Sequence, residues 1–300
     1  QNNLAYMYYN GDGTLKDDNQ AFYWYKKSAE QGQVDAQNNL ALMYYDGIGT
    51  LKDYNQAFYW YKKSAEQGHA VAQSNLGAVY GNGEGTLKDD KQAFYWFKKS
   101  AEQGHAVAQF RLAVMHYNGE GTLKNDKQAF YWYKKSAEQG HAVAQSNLAV
   151  MYYNGDGTLK DDKQAFYWYK KSAEQGQVDA QNNLALMYYN GIGILKDDKQ
   201  AFYWHKKSAE QGQAFAQYNL ALMYHNGKGT LKDYNQAFYW YKKSAEQGQF
   251  DAQYNLAVMY YNGIGTLKDY KKAAYWTRKS YENGLKDAKE LWEKYELWKY

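Results

Sequence analysis

A period of 36 residues runs through the sequence and narrows the folds that it can adopt. The stretch from Ala57 to Gly68, which contains Trp60, recurs almost unchanged in register. A period of this length indicates stacked supersecondary units, each of which buries its apolar face against its neighbours. The tryptophans that mark the period are Trp24, Trp60, Trp96, Trp132, Trp168, Trp204, Trp240 and Trp276.

The second half of each repeat has the pattern of an amphipathic helix, here called helix B. Asp53 and Gln56 form a capping-box sequence, in which Asp53 accepts from backbone N–H groups and Gln56 reaches back to the helix start. Gly68 supplies the left-handed residue that ends the helix. The spacing i, i+3, i+4, i+7, i+8 predicts one buried stripe, formed by Ala57, Trp60, Tyr61, Ser64 and Ala65.

The first half of each repeat predicts a shorter helix, here called helix A, over residues 36–45 of the second repeat. Its inner face carries Leu40 and Met43, with Ala36 and Tyr44 beside them. Gly47 ends the helix, and the next glycine allows a tight turn into helix B. The chain has no proline, so glycine and Asn/Asp chemistry make every turn.

Eight such pairs account for most of the chain. We predict an all-α fold, a right-handed α-solenoid of eight 36-residue helix–turn–helix repeats over residues 1–284, whose first repeat is truncated at its start. Residues 285–300 are predicted to form one capping helix of the A type, with a Lys/Glu-rich outer face. The chain begins at Gln1 rather than at methionine, which suggests a fragment or a processed form.

The repeat unit resembles the Sel1-like repeat (SLR) family, a relative of the tetratricopeptide repeat. Two departures occur: helix A has Leu-Ala where the family commonly has Leu-Gly, except at Gly77, and Ser64 replaces the first of two alanines. Both changes keep the residues small enough for close helix packing. The resemblance implies a scaffold or adaptor, often bacterial, that holds other proteins. In one repeat it is carried by Ala144, Leu148, Tyr152, Gly155, Gly157, Asp161, Ala165, Trp168, Tyr169, Ala173 and Gly176.

The residues give no support for an enzyme, a metal site or a cofactor. Cysteine is absent, and no sequence pairs a nucleophile with a base. His69, His105 and His141 recur once per repeat, but neighbouring packed helices lie about 8–10 Å apart, too far to share one zinc ion. The Gly-x-Gly loops lack the Gly-Lys-Ser/Thr spacing of a phosphate-binding loop and are interpreted as turns.

Charge and hydropathy exclude two further classes of partner. The net charge is +4, and Lys alternates with Asp and Glu without a basic stripe, so nucleic-acid binding is not expected. No apolar run is long enough to span a bilayer. Bacterial cytoplasm, periplasm and secretion all remain open as locations.

The repeats differ from one another mainly along one face of helix A, here called the variable stripe, at spacing i, i+3, i+7, i+10. Its first position holds Asp35, Val71, Val107, Val143, Asp179, Phe215 and Asp251, and its second holds Asn38, Ser74, Phe110, Ser146, Asn182, Tyr218 and Tyr254. The third holds Leu42, Ala78, Val114, Val150, Leu186, Leu222 and Val258, and the fourth holds Tyr45, Gly81, Tyr117, Tyr153, Tyr189, His225 and Tyr261.

Two interpretations of the variable stripe are open. In related solenoids helix A lines the concave side, so the stripe would form a groove that binds a partner through aromatic anchors. Alternatively, these side chains pack between adjacent A helices and differ through drift after duplication. The predicted partner-binding residues are Phe110, Arg111, Tyr117, Tyr153, Tyr189, Phe215, Tyr218, His225, Tyr254 and Tyr261.

The residue directly after the second stripe position is asparagine in six of the seven complete repeats and Arg111 in the other. These asparagines, here called the asparagine ladder, are Asn39, Asn75, Asn147, Asn183, Asn219 and Asn255. Asparagine could clamp a peptide backbone with its paired donor and acceptor, but a structural bond to the neighbouring helix is the preferred interpretation. Arg111 is a candidate for meeting a partner's carboxylate.

Three functions compete at this level. The leading prediction is a protein–protein interaction scaffold whose partner is another protein or a peptide. The second is recognition of a glycan or cell-wall polysaccharide, because tyrosine-rich repetitive surfaces stack on sugar rings. The third, a hydrolase, finds no support among the residues.

Overall fold

The computed structural model describes residues 1–299, and it contains no β-strand over that range. The predicted all-α class and its eight helix pairs are confirmed. The odd-numbered helices up to α15 are A helices, and the even-numbered ones are B helices. The helices are α1 Asn2–Asn10, α2 Asp18–Glu30, α3 Val34–Asp46, α4 Tyr54–Glu66, α5 Ala70–Asn82, α6 Asp90–Glu102, α7 Ala106–Asn118, α8 Asp126–Glu138, α9 Ala142–Asn154, α10 Asp162–Glu174, α11 Val178–Asn190, α12 Asp198–Glu210, α13 Ala214–Asn226, α14 Tyr234–Glu246, α15 Phe250–Asn262, α16 Tyr270–Glu282 and α17 Ala288–Lys294.

The chain divides into two compact units. The first comprises residues 1–151 and 155–159, and the second comprises residues 152–154 and the chain from residue 160 onward. From α1 to α8 in the first unit, and from α10 to α17 in the second, each helix packs against the next one in sequence. Each unit is therefore a series of local contacts, as expected for tandem repeats.

The B helices begin as predicted, but the capping box is only half formed. The side-chain Oδ1 of Asp53 accepts from the N–H groups of Asn55 and Gln56, at 2.9 and 3.0 Å. The predicted reach of the Gln56 side chain is wrong, because the N–H of Asp53 donates instead to the carbonyl of Tyr44 at 2.9 Å. That backbone bond ties the start of helix B to the end of helix A.

A glycine in each A–B loop has a role beyond turning the chain. Gly85 has a φ of +69°, and a Cβ atom built on it would overlap the carbonyl oxygen of Tyr54. Tyr54 begins α4, the B helix of the preceding repeat. Glycine is therefore required here both for the left-handed backbone and for the close approach of one repeat to the next.

The predicted buried stripe of helix B is confirmed, and its serine is both small enough for close helix packing and a hydrogen-bond donor. Ala57, Tyr61, Ser64 and Ala65 are buried, whereas Trp60 is half-buried. The hydroxyl of Ser64 donates to the carbonyl of Val34, the first residue of the A helix in the same repeat, at 2.9 Å. Equivalent bonds join Ser100 to Ala70, Ser136 to Ala106, Ser208 to Val178, Ser244 to Ala214 and Ser280 to Phe250.

Buried glutamines connect successive repeats. The Nε2 group of Gln37 donates to the carbonyl of Ala29 in the preceding B helix at 3.2 Å. Its Oε1 atom accepts from Nε2 of Gln67 at 2.7 Å. Gln37 is almost fully buried, so both its donor and its acceptor are satisfied inside the protein. The pattern recurs at Gln73, Gln109, Gln181 and Gln217.

The prediction of one capping helix over residues 285–300 is wrong in its extent. The helix covers only Ala288–Lys294, and a 3-10 helix follows at Leu297–Lys299. Between them Glu296 has a φ of +50°, which breaks the α-helix. The break allows Leu297 to be buried against the last repeat and Tyr295 to stack on Tyr261 at a ring-centroid distance of 3.9 Å. Tyr300 lies outside the described residues.

Candidate functional site

The first position of the variable stripe lies at the surface near the start of each A helix. Phe215 is 58% exposed and Val107 is 44% exposed. Asp35, Val71, Val143 and Asp179 are exposed as well, and Asp251 is half-buried. This position therefore presents a side chain of different chemistry in different repeats without a role in the core.

The second position is less accessible: Asn38, Ser74, Ser146 and Asn182 are buried there, and its larger side chains are half-buried against neighbouring rings. Phe110 stacks on the imidazole of His141 at a centroid distance of 4.7 Å. Tyr218 lies 5.9 Å from the ring of Tyr241, and burial raises the pKa of Tyr218. Tyr254 is also half-buried. These three residues are partly core side chains, so their alanine variants would disturb packing as well as any bound partner.

The fourth position meets the A–B loop of the following repeat. The hydroxyl of Tyr45 donates to Oε2 of Glu84 at 2.7 Å, and this bond raises the pKa of Tyr45 to about 12. The Nζ group of Lys228 donates to the hydroxyl of Tyr189 at 2.6 Å. The loop residue changes between repeats, so the neighbour of each stripe tyrosine changes too. The sequence interpretation treated these loops as turns and did not identify this contact.

The other fourth-position residues also have partners within their own unit. Lys124 lies 5.1 Å from the ring of Tyr117, and Lys160 lies 4.9 Å from the ring of Tyr153. His225 contacts the ring of Tyr234 edge-on, whereas Tyr261 stacks on Tyr295. Of the predicted aromatic residues on the variable stripe, Phe215 and Tyr153 are exposed, whereas the others are half-buried.

The asparagine ladder makes the predicted structural bonds. Asn39 is hydrogen-bonded to the hydroxyl of Tyr25 in the preceding B helix. Asn147 and Asn183 make the same bond to Tyr133 and Tyr169. The preferred interpretation, a bond to the neighbouring helix, is confirmed for these three residues.

Arg111 occupies the odd rung of that ladder for a local reason. The B-helix residue that precedes it by 14 positions is Phe97, which has no hydroxyl to pair with an asparagine. Arg111 is exposed, and its guanidinium lies 5.8 Å from the ring of Phe110. Its role in meeting a partner's carboxylate stays a prediction.

The histidines that recur once per repeat, His69, His105 and His141, lie at the N-terminal caps of A helices. Nδ1 of His69 accepts from the N–H of Ala72 at 3.1 Å, and His141 caps α9 in the same way. In other repeats the side chain of Gln33 or Gln213 makes this bond. Burial lowers the pKa of His105 and His141, which favours the neutral ring that can accept at Nδ1.

Sequence reasoning missed one exposed apolar ladder. A leucine in each A–B loop is almost fully exposed, although leucine is normally a core residue. Nothing in the sequence distinguishes it from a buried leucine, because an isolated apolar residue in a loop has no periodic signal. The ladder consists of Leu15, Leu51, Leu87, Leu123, Leu159, Leu195, Leu231 and Leu267.

Two properties of the described residues bear on other functions. Within residues 1–299, no three His, Cys, Asp or Glu side chains come together as a metal site would require. No helix in that range combines the length and the apolar character needed to cross a membrane.

Comparisons with known proteins agree with the repeat architecture. The sequence model of the Sel1 repeat matches eight consecutive segments: residues 1–33, 34–69, 70–105, 106–141, 142–177, 178–213, 214–249 and 250–285. Sel1 repeats generally mediate protein–protein interaction, and the scaffold proteins that contain them are generally non-enzymatic. None of the curated protein sequences matches this chain.

Two solved bacterial structures are similar over almost the whole chain. The first is c5321, a protective antigen present in uropathogenic Escherichia coli strains that displays an SLR fold, with 40% identity and a TM-score of 0.90. That match covers 96% of this chain and 62% of the antigen, so the chain spans less than two thirds of its relative. A Sel1 repeat protein from Oxalobacter formigenes is 31% identical, with a TM-score of 0.72 and coverage of 97% and 85%. With family repeats along nearly its whole length and these two relatives, the chain belongs to the Sel1 repeat family.

Proposed function

We propose that this chain is a non-enzymatic scaffold that binds another protein through the variable stripe of its A helices. The observation that supports this most is a contrast within each A helix. The exposed first position changes between Asp, Val and Phe from repeat to repeat, whereas the buried residues beside it are Ala and Leu in every complete repeat. Exposed side chains of varied chemistry on a constant core suit recognition of a specific partner.

In the second unit the stripe has a defined chemical pattern. Phe215 on α13 is the exposed anchor, with Asp179 on α11 and Asp251 on α15 at the same position of the two flanking A helices. An aromatic side chain gives large contact area at low entropic cost, and the carboxylates favour a cationic partner. A segment with an apolar pocket or side chain flanked by Lys or Arg would fit this pattern.

The test is a charge substitution that the fold already accepts. Phe215→Asp introduces the residue that three other repeats carry at this position, so we expect the helix to form normally. Proteins captured by the wild-type chain from bacterial and host-cell lysates would be identified by mass spectrometry, and their affinities measured with purified proteins. We expect Phe215→Asp to weaken binding at least tenfold, about 1.4 kcal/mol.

Leu231→Asp provides the matched control. Leu231 belongs to the same repeat and is more exposed than Phe215, but it lies in the A–B loop outside the stripe. If both substitutions weaken binding equally, or if neither does, the stripe is not the binding surface. Tyr218→Ser is the next variant, because serine occurs at that position in α5 and α9; it removes the ring that packs on Tyr241, so its helicity and thermal midpoint are measured beside its binding.

A second candidate function, glycan binding, is favoured by the clefts between successive B helices. Tyr59 and Trp60 line one such cleft with Gln67, and Tyr203 and Trp204 line its equivalent in the second unit. The two volumes are about 460 and 430 Å³, and both tyrosines are half-exposed. Aromatic faces beside amide and charged groups suit sugar rings.

A polysaccharide array separates the two functions. A glycan-binding protein would retain a defined polymer and lose it on Tyr203→Ala, while Phe215→Asp would have no effect. The reverse pattern, with no polymer retained, would support the protein-binding scaffold.

A further inference from the structure

One B-helix position interrupts the internal repetition at a buried site. The position that Tyr61 occupies in the buried stripe of helix B is a tyrosine in five repeats: Tyr25, Tyr61, Tyr133, Tyr169 and Tyr241. In α12 it is His205, which is only 1% exposed. Imidazole is shorter than the tyrosine ring and lacks its hydroxyl. His205 therefore leaves unfilled the space that the phenol group occupies elsewhere.

Two equivalent cavities of the same protein can be compared, and their walls differ at two equivalent positions. Tyr25 corresponds to His205, and Tyr6 corresponds to Leu186, so both changes to a smaller side chain contribute to the difference in volume. The cavity that His205 lines has a volume of about 260 Å³. Its counterpart in the first unit is lined by Tyr25 and measures about 120 Å³. Both cavities have an asparagine of the ladder, Asn219 or Asn39, in their walls. An apolar cavity of about 150 Å³ is already large enough for benzene, so the larger cavity can hold an aromatic ring.

The polar groups of the enlarged cavity lack the hydroxyl that pairs with them in other repeats. Nδ1 of His205 is buried and has no hydrogen-bond partner among residues 1–299. Asn219 is the rung whose counterparts Asn39, Asn147 and Asn183 bond to a tyrosine hydroxyl, and His205 cannot supply one. Burial lowers the pKa of His205 to about 3, so the ring is neutral at pH 7 and one of its nitrogens can accept a hydrogen bond.

The remaining walls complete the environment of a phenol. Leu222, Met223 and the ring of Tyr189 provide apolar surface, and no carboxylate of residues 1–299 lines the cavity. Lys228 donates to the hydroxyl of Tyr189 and also lines it, together with Asn190 and Asn226. The lining thus combines an apolar wall with several uncharged hydrogen-bonding groups and one cation, which suits a polar aromatic ligand.

We propose that the cavity beside His205 binds a phenol group, which replaces the tyrosine side chain found at this place in other repeats. The phenol oxygen accepts from the amide of Asn219, and the phenol hydroxyl donates to the imidazole of His205. The ligand is either a free small phenol or a tyrosine side chain of a bound protein, because both present the same ring and hydroxyl. Leu186, Tyr189 and Leu222 of the variable stripe line this cavity, but Phe215, the residue that tests the proposed scaffold function, does not, so the two proposals can fail independently.

The experiment titrates the whole chain with phenol, with toluene and with N-acetyltyrosinamide, and follows binding by ligand-observed NMR. We expect saturable binding of one phenol per chain and at least tenfold weaker binding of toluene, which lacks the hydroxyl. N-acetyltyrosinamide distinguishes the sources: its binding supports a tyrosine side chain, whereas its exclusion alongside phenol binding supports a free small phenol.

Two variants make the result specific to this cavity. His205→Tyr restores the residue of five other repeats and should fold normally while it abolishes phenol binding. His116→Tyr restores the tyrosine that the other seven repeats carry at its position, lies outside both the variable stripe and the cavity lining, and should leave binding unchanged. Absence of saturable phenol binding in the wild-type chain, or equal binding in the His205→Tyr variant, would overturn the proposal.

Discussion

Replacement of His205 by tyrosine is expected to reduce the protein's sensitivity to mild acid. His205 is 1% exposed, and burial lowers its pKa from 6.5 to about 3. In the unfolded chain the same ring is exposed and titrates near 6.5. The unfolded state therefore binds more protons between these two values, so the free energy of unfolding falls as the pH drops below 6.5.

The size of the effect follows from the two pKa values. Each pH unit within the window between them costs up to about 1.4 kcal/mol of unfolding free energy. Integrated from pH 7 to pH 5, the loss from this single histidine is about 2 kcal/mol. In the His205→Tyr variant this loss disappears, because tyrosine remains neutral at both pH values.

The measurement is the urea dependence of helical circular dichroism at pH 5, 6 and 7 for both proteins. The other five histidines are present in both chains, so their contributions cancel when the two pH profiles are subtracted. Filling the cavity also stabilises the variant, but by an amount that is the same at every pH. Two parallel profiles would refute the reasoning, since they would mean that His205 titrates alike in the folded and unfolded states.

Two further predictions concern backbone space and paired side chains. Gly68→Ala should lower the free energy of unfolding by about 1–2 kcal/mol through its left-handed backbone alone, because a Cβ at Gly68 has no neighbour within 4 Å among residues 1–299. Gly85→Ala should lower it further, because its Cβ would overlap the carbonyl of Tyr54. Equal thermal midpoints for the two variants would contradict this account. Phe97→Tyr combined with Arg111→Asn should restore the tyrosine–asparagine bond of other repeats. A double-mutant cycle on the free energy of unfolding should give a favourable coupling of about 1 kcal/mol between the two substitutions. A coupling near zero would show that the bond adds no stability.

Most of the helical architecture could be predicted because the same pattern of apolar residues, caps and glycines recurs in each repeat. Helix A was predicted over residues 36–45 and spans Val34–Asp46, and the cap at Asp53 begins helix B as expected. The C-terminal segment has no second copy, and its interruption at Glu296 depends on the burial of Leu297 against the last repeat. A tertiary contact of that kind leaves no periodic signal in the sequence.

The candidate surface was predictable in its position but not in its accessibility. Helical spacing placed Phe215 and Tyr218 on one face, yet the structure exposes Phe215 and packs Tyr218 against Tyr241. Periodicity specifies which side of a helix a residue occupies, whereas exposure depends on how closely the next repeat approaches. The contact of Lys228 with Tyr189 depends on the same approach and crosses from a loop to the preceding helix.

Comparison of equivalent positions separates compensated changes from uncompensated ones. In the third repeat, Phe97 replaces tyrosine and Gly77 replaces alanine, and a Cβ at Gly77 would lie 3.0 Å from the Phe97 ring. Arg111 replaces the asparagine that would have bonded to the missing hydroxyl. These three changes fit one another, as expected for drift that preserves a packed core.

His205 has no such compensation. Its repeat keeps alanine at Ala185 and the following repeat keeps asparagine at Asn219, the residues that accompany a tyrosine elsewhere, while the ring that they surround is smaller. The cavity here measures about 260 Å³, against about 120 Å³ beside Tyr25, and the buried Nδ1 of His205 has no hydrogen-bond partner among residues 1–299. An unsatisfied buried polar group costs about 1–3 kcal/mol, so this position destabilises the empty protein. Occupation of the cavity by a ligand would offset that cost, which is the physical basis for expecting that His205 serves binding rather than stability.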